Sequence, residues 1–292
     1  MVAVVDMKSE LPKGAVHVWW GTVGGVRPRH RDLLGAQERE RLARFRRPGD
    51  AARFVMGCAL VRLAVSGYTG IPPREVPVVR VCDGCGGPHG KPRVGAGGGI
   101  EVSLSHSGEH IALAVARETP LGIDVESGDG PADLLRLAPR VLSPTEALEY
   151  GRLPESERRR RVLSVWTCKE AALKATGDGL RIPMRRLEIG DPEGTPWLRH
   201  WEGRPWPAGT MNLARLDAPR GYSATLAVLG PPGFTVRHGK FARLARMGTE
   251  HQRAVRPAVP SRAASARRAT LSTFPTPASG SASTGTSRSG SL

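Results

Sequence analysis

Three short stretches of the chain place charged side chains where an ordinary fold would not. In Leu121-Gly122-Ile123-Asp124-Val125-Glu126 the apolar residues alternate. A strand there turns Leu121, Ile123 and Val125 to one face and Asp124 with Glu126 to the other. Two carboxylates about 6–7 Å apart, at a rise of ~3.3 Å per residue, repel each other unless a cation lies between them. A hard divalent ion such as Mg²⁺ meets that need, because it takes one or more carboxylates and keeps several waters. A solvent-facing strand with acidic decoration fits the same pattern.

The second stretch is Val165-Trp166-Thr167-Cys168-Lys169-Glu170-Ala171-Ala172-Leu173-Lys174. Helical spacing gathers Val162, Val165, Trp166 and Leu173 into a stripe, with Lys169 and Glu170 on or beside it. A charge buried there requires a partner. Glu170 and Lys174 are also i, i+4 neighbours, which on a solvated face is an ordinary salt bridge worth a few tenths of a kcal/mol. The third stretch is Val102-Ser103-Leu104-Ser105-His106-Ser107-Gly108. His106 closes the row Ile100, Val102, Leu104, a position that suits a packed core histidine as well as a ligand contact. Serine hydroxyls and turn amides beside it are suited to phosphate oxygens. No G-x-S-x-G elbow surrounds these serines, so hydrolase chemistry finds little support.

Smaller features share this character. Gly90-Lys91-Pro92 fixes a lysine on a stiff backbone, suitable for a phosphate or for a plain surface turn. Arg53 falls in the first turn of a helix capped by Asp50, where the dipole disfavours cations. It calls for an anion there, or for water. Only six of the 43 basic residues are lysine, and two of the six lie in the second stretch. Where arginine is the routine cation, each lysine asks why arginine would not serve. Three acids, three lysines, a histidine and an arginine are what a Mg²⁺-polyphosphate site needs. No Walker A or kinase glycine loop is present.

The elements that must position these groups are legible in part. Strands are predicted at Val16–Trp20, Glu75–Val81, Ile100–His106, Ile111–Ala116, Leu121–Glu126, Arg186–Ile189 and Tyr222–Leu229, and 92–99 reads as a loop. Pro48-Gly49 breaks a pattern, after which Asp50 caps a helix through Phe54, Cys58, Val61 and Val65. Ser143-Pro144-Thr145-Glu146 is a capping box with proline at the first helical position. A long helix runs from about Glu155 to Thr176 and ends at Gly177. Without regular βαβ alternation the class is α+β, and the order of elements suggests two similar halves, 1–118 and 119–237. Residues 238–292 form a Ser, Arg, Ala and Pro-rich tail, disordered from Ala254 onward, since nothing there offsets the entropy of ordering it.

Composition limits the alternatives. The 292 residues carry four cysteines and a net charge of +16. Nine Arg, one Lys and one Glu between Arg237 and the end supply +9 of that charge. The body is thus basic but ordinary, and nucleic acid is not the expected partner. Four cysteines are too few for a disulfide scaffold. No run approaches 18 consecutive apolar residues, so no membrane span is expected. The segment MVAVVDMKSELPKG lacks a secretory pattern. A cytoplasmic protein is expected.

At these same residues the sequence resembles the 4'-phosphopantetheinyl transferases, specifically the long, surfactin-synthetase-activating type. The matches are DAARFVMGCALVR (50–62), HGKP (89–92), SLSHSG (103–108), LGIDVE (121–126) and VWTCKEAALKATGDGLRIP (165–183), in the family's order. The resemblance covers roughly 15–230. It implies a monomer of two similar α+β halves in a pseudo-two-fold arrangement, with coenzyme A bound between them. It implies transfer of phosphopantetheine from coenzyme A to a carrier-protein serine, releasing adenosine 3',5'-bisphosphate, in peptide and polyketide biosynthesis. Asp124, Glu126 and Glu170 would hold Mg²⁺, or Mn²⁺ in its place. Arg53, Lys91, Pro92 and His106 would hold the 3'-phosphate and adenine end of coenzyme A, with Ser105 beside them. Lys169 and Lys174 would contact the phosphates, Glu170 would draw the proton from the attacking serine, and Lys174 would stabilise the departing bisphosphate. Carrier proteins are typically acidic, which suits the basic body.

The departures are specific. Gln37-Glu38-Arg39-Glu40-Arg41 replaces the family's basic run, leaving Arg41 as a phosphate contact. Cys82, Cys85 and His89 are an addition, one ligand short of a structural zinc site. Two alternatives are distinguishable: a Mg²⁺-dependent nucleotide phosphohydrolase, which would need no protein acceptor, and nucleic-acid binding through the tail, which would vanish with residues 238–292.

Overall fold

Side-chain alternation along residues 100–127 builds the centre of the molecule in a computed structural model. It describes residues 11–81, 84, 86–87, 90–95, 98–129, 134–204 and 210–244. The elements in chain order are β1 (Ala15–Thr22), α1 (Pro28–Arg31), α2 (Ala36–Ala43), α3 (Pro48–Thr69), β2 (Val78–Arg80), β3 (Pro92–Val94), β4 (Ile100–Ser107), β5 (His110–Arg117) and β6 (Leu121–Ser127). There follow α4 (Leu134–Val141), α5 (Pro144–Gly151), α6 (Glu155–Thr176), β7 (Leu187–Gly190), β8 (Trp197–Trp201), β9 (Met211–Arg215), β10 (Tyr222–Leu229) and β11 (Thr235–Lys240).

One sheet has the order β11-β1-β5-β4 and the other β6-β10-β9-β8-β7; β2 and β3 form a separate ribbon. The class is α+β. Val16, Val18, Ala112 and Ala114 of the first sheet share a core with Leu121, Ile123, Val125 and Leu226 of the second. On its other face the first sheet buries Trp19, Leu113 and Val115 with Met56, Leu60 and Ala64 of α3. The second core joins Val165, Ala172 and Leu173 of α6 to Leu187, Leu213 and Ala227. Each such aliphatic side chain contributes roughly 1.5–3 kcal/mol on burial. α3 and α6 both have 22 residues and both end on a left-handed glycine, Gly70 and Gly177.

Gly122 sets the distance between β6 and α6. A Cβ there would lie 2.0 Å from the Ala171 carbonyl and 2.4 Å from the Ala175 nitrogen. Only glycine lets the helix rest directly on the strand that carries Asp124.

The structure corrects several expectations. α3 begins at Pro48 with Arg47 as its N-cap, so Asp50 lies inside the first turn and Arg53 one turn further in. Proline starts this helix rather than breaking it, because the N1 position needs no N–H. Residues 92–94 are a strand paired with β2, not loop. β8, β9 and β11 appear in no sequence expectation. The tail boundary at 238 is too early: β11 runs parallel to β1 from Ala15↔Thr235 to Trp20↔Lys240. Phe241 and Leu244 beyond it lie in the same core as Trp19. The expectation of disorder from Ala254 lies outside the described residues. Contacts divide the chain into Met1–Arg256 and Pro257–Leu292, and every described residue lies in the first. Among the described residues one helix, α3, is long and apolar enough to cross a membrane, but 67% of its apolar stretch is buried within the protein. Counting uninterrupted apolar residues missed it, since Arg53 and Arg62 interrupt the run.

Candidate active site

β4 and β6 lie side by side where the two sheets meet, and serines on alternate positions of β4 cross the seam. Ser103 Oγ accepts the Ile123 N–H at 3.0 Å. Ser105 Oγ donates to Asp124 Oδ1 at 2.8 Å. Ser107 Oγ donates to Glu126 Oε2 at 2.7 Å and accepts the Ser127 N–H at 3.0 Å. The period of two that defines a strand therefore delivers three hydroxyls to one partner strand.

Helix α6 supplies the cation. Lys174 Nζ lies 2.7 Å from Asp124 Oδ1, 3.1 Å from Ser105 Oγ and 3.2 Å from the Ile123 carbonyl. Burial pulls this ammonium down, but Asp124 and Glu170 outweigh it and hold Lys174 above the usual lysine range. Asp124 is 2% exposed, and its second oxygen, Oδ2, is buried with no hydrogen-bond partner.

The other two carboxyls are under-compensated. Burial first, then the charge of Asp124, pushes Glu126 up to about 7, with the Ser107 hydrogen bond opposing. Burial also raises Glu170, with Lys174 opposing and Asp124 adding to the shift. Three acids thus face one ammonium, an excess of two negative charges when all are ionised. That donor set fits a divalent cation in charge and in hardness, and the bare Asp124 Oδ2 is the acceptor it would use. As the side chains stand, no three His, Cys, Asp or Glu among the described residues converge closely enough to hold a metal.

Glu170 and Lys174 open onto a cavity of about 650 Å³ that Lys91, Pro92 and Arg181 also line. Lys91 Nζ donates to the Leu121 carbonyl at 2.9 Å, and burial holds this lysine below the usual range. Pro92 opens β3 and is buried.

His106 stands exposed at the far end of β4. Partial desolvation together with the nearby charges of Arg53 and Lys174 holds its imidazole below the usual value. Arg53 pairs with Asp50 and donates to the Gly108 carbonyl at 2.9 Å. Lys91 is anchored at the start of β6, while His106 and Arg53 lie by its end, about 16 Å along the seam at ~3.3 Å per residue. Lys91 lines the same cavity as Glu170 and Lys174.

Two further candidates are bonded within the protein. Ser105 is buried between Asp124 and Lys174, and its hydroxyl bonds both. Lys169 is 0% exposed and points into the core away from Lys174. Its ammonium bonds Glu146 Oε2 at 2.5 Å and the Val141 carbonyl at 2.7 Å. Glu146 also accepts the N–H groups of Ser143 (2.7 Å) and Ile189 (2.8 Å). This buried pair ties α6 to the start of α5 and to β7. Arg41 lies over the Phe54 ring at 5.3 Å. Cys82, Cys85 and His89 lie outside the described residues.

Sequence reasoning missed Ser103, Ser107 and Glu146. The first two were marked by the Ser-x-Ser-x-Ser spacing, and Glu146 was seen only as a helix cap. Glu170 makes no hydrogen bond or ion pair among the described residues, as suits a group kept for a ligand.

Comparison with known proteins agrees with this geometry. Residues 120–227, which contain Asp124, Glu126, Glu170 and Lys174, match the model of the 4'-phosphopantetheinyl transferase superfamily. The 4'-phosphopantetheinyl transferase HetI of Nostoc sp. is 34% identical over 180 residues, 60% of this chain and 73% of that protein. A 4'-phosphopantetheinyl transferase of Bacillus subtilis is 30% identical over 166 residues, 56% of this chain and 70% of that protein. A solved holo-(acyl-carrier-protein) synthase from Bacillus anthracis, in complex with CoA (3',5'-ADP), is 20% identical with a TM-score of 0.31, over 38% of this chain and 96% of that one. Identity of 30% or more across at least 70% of the two transferases of Nostoc and Bacillus subtilis, with a matched family segment that spans β6 and α6, means that the chain belongs to the 4'-phosphopantetheinyl transferase superfamily.

Proposed function

We propose that the chain moves 4'-phosphopantetheine from coenzyme A to a serine hydroxyl of an apo carrier protein, in a Mg²⁺-dependent reaction that releases adenosine 3',5'-bisphosphate. The observation that carries this reading is that Glu170 and Lys174 line one cavity, with Lys174 bonded to an Asp124 whose Oδ2 is buried and without a hydrogen bond among the described residues. Asp124, Glu126 and Glu170 would hold the cation. When bound, it would neutralise the pyrophosphate and polarise the phosphorus under attack.

The protein's own groups account for the proton and the charge. The carrier serine oxygen forms a bond to the phosphorus that bears the pantetheine, while the bond from that phosphorus to the bridging oxygen breaks. The serine proton passes to Glu170, whose raised affinity for protons suits a general base. The leaving oxygen departs with the bisphosphate, where the fixed ammonium of Lys174 stabilises the developing charge without reorganising. Lys91 faces the same cavity and supplies a second positive charge for the phosphates. His106 and Arg53, at the far end of the seam, would hold the more distant phosphate. Because the acceptor brings the nucleophile, this chain needs none.

A net charge of +16 supports acidic carrier proteins as partners. We further propose that the protein acts as a cytoplasmic monomer. The test is intact-mass spectrometry of an apo carrier protein incubated with this chain, coenzyme A and Mg²⁺. The expected result is a gain of one phosphopantetheine that disappears with EDTA. Breakdown of coenzyme A without any carrier protein would instead favour a phosphohydrolase.

A further inference from the structure

The hydroxyl row on β4 is committed in a way the proposed reaction does not by itself require. Ser107 is the informative member. Its oxygen accepts the Ser127 N–H at 3.0 Å, so its single proton is left for Glu126 Oε2, 2.7 Å away. The backbone of β6 thereby fixes the serine, and the serine fixes one oxygen of the carboxylate, while the other oxygen has no hydrogen bond among the described residues. The turn after Ser107 is held in its own right. The Tyr222 hydroxyl accepts the Glu109 N–H at 3.1 Å, and a Cβ at Gly108 would strike that hydroxyl at 2.5 Å. Tyr222 in turn sits opposite Ser127 in the β6–β10 ladder. The turn that carries Ser107 is therefore held by two neighbouring strands of the second sheet, through Ser127 of β6 and Tyr222 of β10.

We infer that Ser107 is a positioning residue for the metal ligand Glu126: its hydroxyl sets the rotamer and free oxygen of that carboxylate for a divalent cation. The inference rests on the reading that Asp124, Glu126 and Glu170 hold that cation. A hydrogen bond to a carboxylate that is itself a ligand orients it and lowers the cost of assembling the site. Ser105 has the same bond to Asp124 but also accepts one from Lys174. Removing Ser105 would disturb two charges at once, so Ser107 gives the clean test.

The experiment compares Mn²⁺ binding to the full chain, Ser107→Ala and Ser107→Thr, by electron paramagnetic resonance of free Mn²⁺ without coenzyme A or carrier. Circular dichroism melts confirm folding in each case. Ser107→Ala should bind Mn²⁺ 10–100-fold more weakly, the range for a lost partner of a ligand. Ser107→Thr, which keeps the hydroxyl, should recover most of the affinity. Wild-type affinity in Ser107→Ala overturns the positioning role while leaving the metal site intact. Equal weakening in both variants overturns it too, because it would report packing rather than the hydroxyl. Absence of Mn²⁺ binding by the unmodified chain overturns the metal reading itself, and the inference with it.

Discussion

Lys174 Nζ lies 2.7 Å from Asp124 Oδ1, and this contact joins the one helix that rests on β6 to the middle of that strand. The pair is asymmetric: Asp124 is buried, while Lys174 keeps part of its side chain at the cavity. One end is therefore structural and the other is available to a substrate.

Removing only the cation should expose that asymmetry. Lys174→Met leaves a buried carboxylate with the Ser105 hydroxyl, and the expected loss of stability is about 3 kcal/mol. Adding Asp124→Asn to the same protein should recover most of it, while transfer stays absent from both. Chemical denaturation and the carrier mass assay read the two effects separately.

Glu170→Gln should behave in the opposite way. Glu170 makes no side-chain hydrogen bond or ion pair among the described residues, and burial already disfavours its charge. Stability should stay within about 0.5 kcal/mol of the parent, as for a substitution that breaks no packing or pairing. The rate of transfer should fall by at least ~10². A variant that turns over near the parent rate would remove Glu170 from the chemistry.

Lys169 gives the reverse pairing of effects. Lys169→Met strips Glu146 of its buried ion-pair partner, and breaking a buried pair this way costs about 3–5 kcal/mol. At a temperature where the variant remains folded, its KM for coenzyme A should match the parent. A raised KM with unchanged stability would restore the phosphate role that the sequence suggested.

His17 sets an acid limit. Burial, then the charge of Arg237, lowers its imidazole from 6.5 to about 4, and its Nδ1 faces the Tyr68 hydroxyl at 2.7 Å. The unfolded chain takes up this proton before the folded one does. The corresponding stability is thus complete above about 6.5 and is lost as pH falls toward 4. Thermal melts from pH 7 to 4 should decline more steeply for the parent than for His17→Gln.

These residues also show where sequence reasoning reached and where it stopped. The carboxylate face of β6 follows from a period of two, and α6 follows from its glycine terminator, because both are local. Lys169 sat correctly on a buried stripe, which demanded a partner. That partner lies 23 residues away on another helix, and no periodicity names it. Ser105 was read as facing a ligand because its neighbours across the seam are not neighbours in sequence. β11 carries Arg237, His238 and Lys240 in six residues. Its polar, half-exposed character comes from lying at a sheet edge, which looks like a tail until its pairing is known.

That edge strand also orders events during synthesis. β1 forms its ladders with β5 and β11, and β11 ends at Lys240. β1 can therefore pair with β5 and pack Trp19 against α3 first, while its other edge stays open until β11 is made. Gly239 then slides beneath that indole, where a side chain would collide at 2.3 Å. Chains that stall or are clipped between β10 and β11 should retain both long helices yet present an open apolar edge to chaperones and to each other.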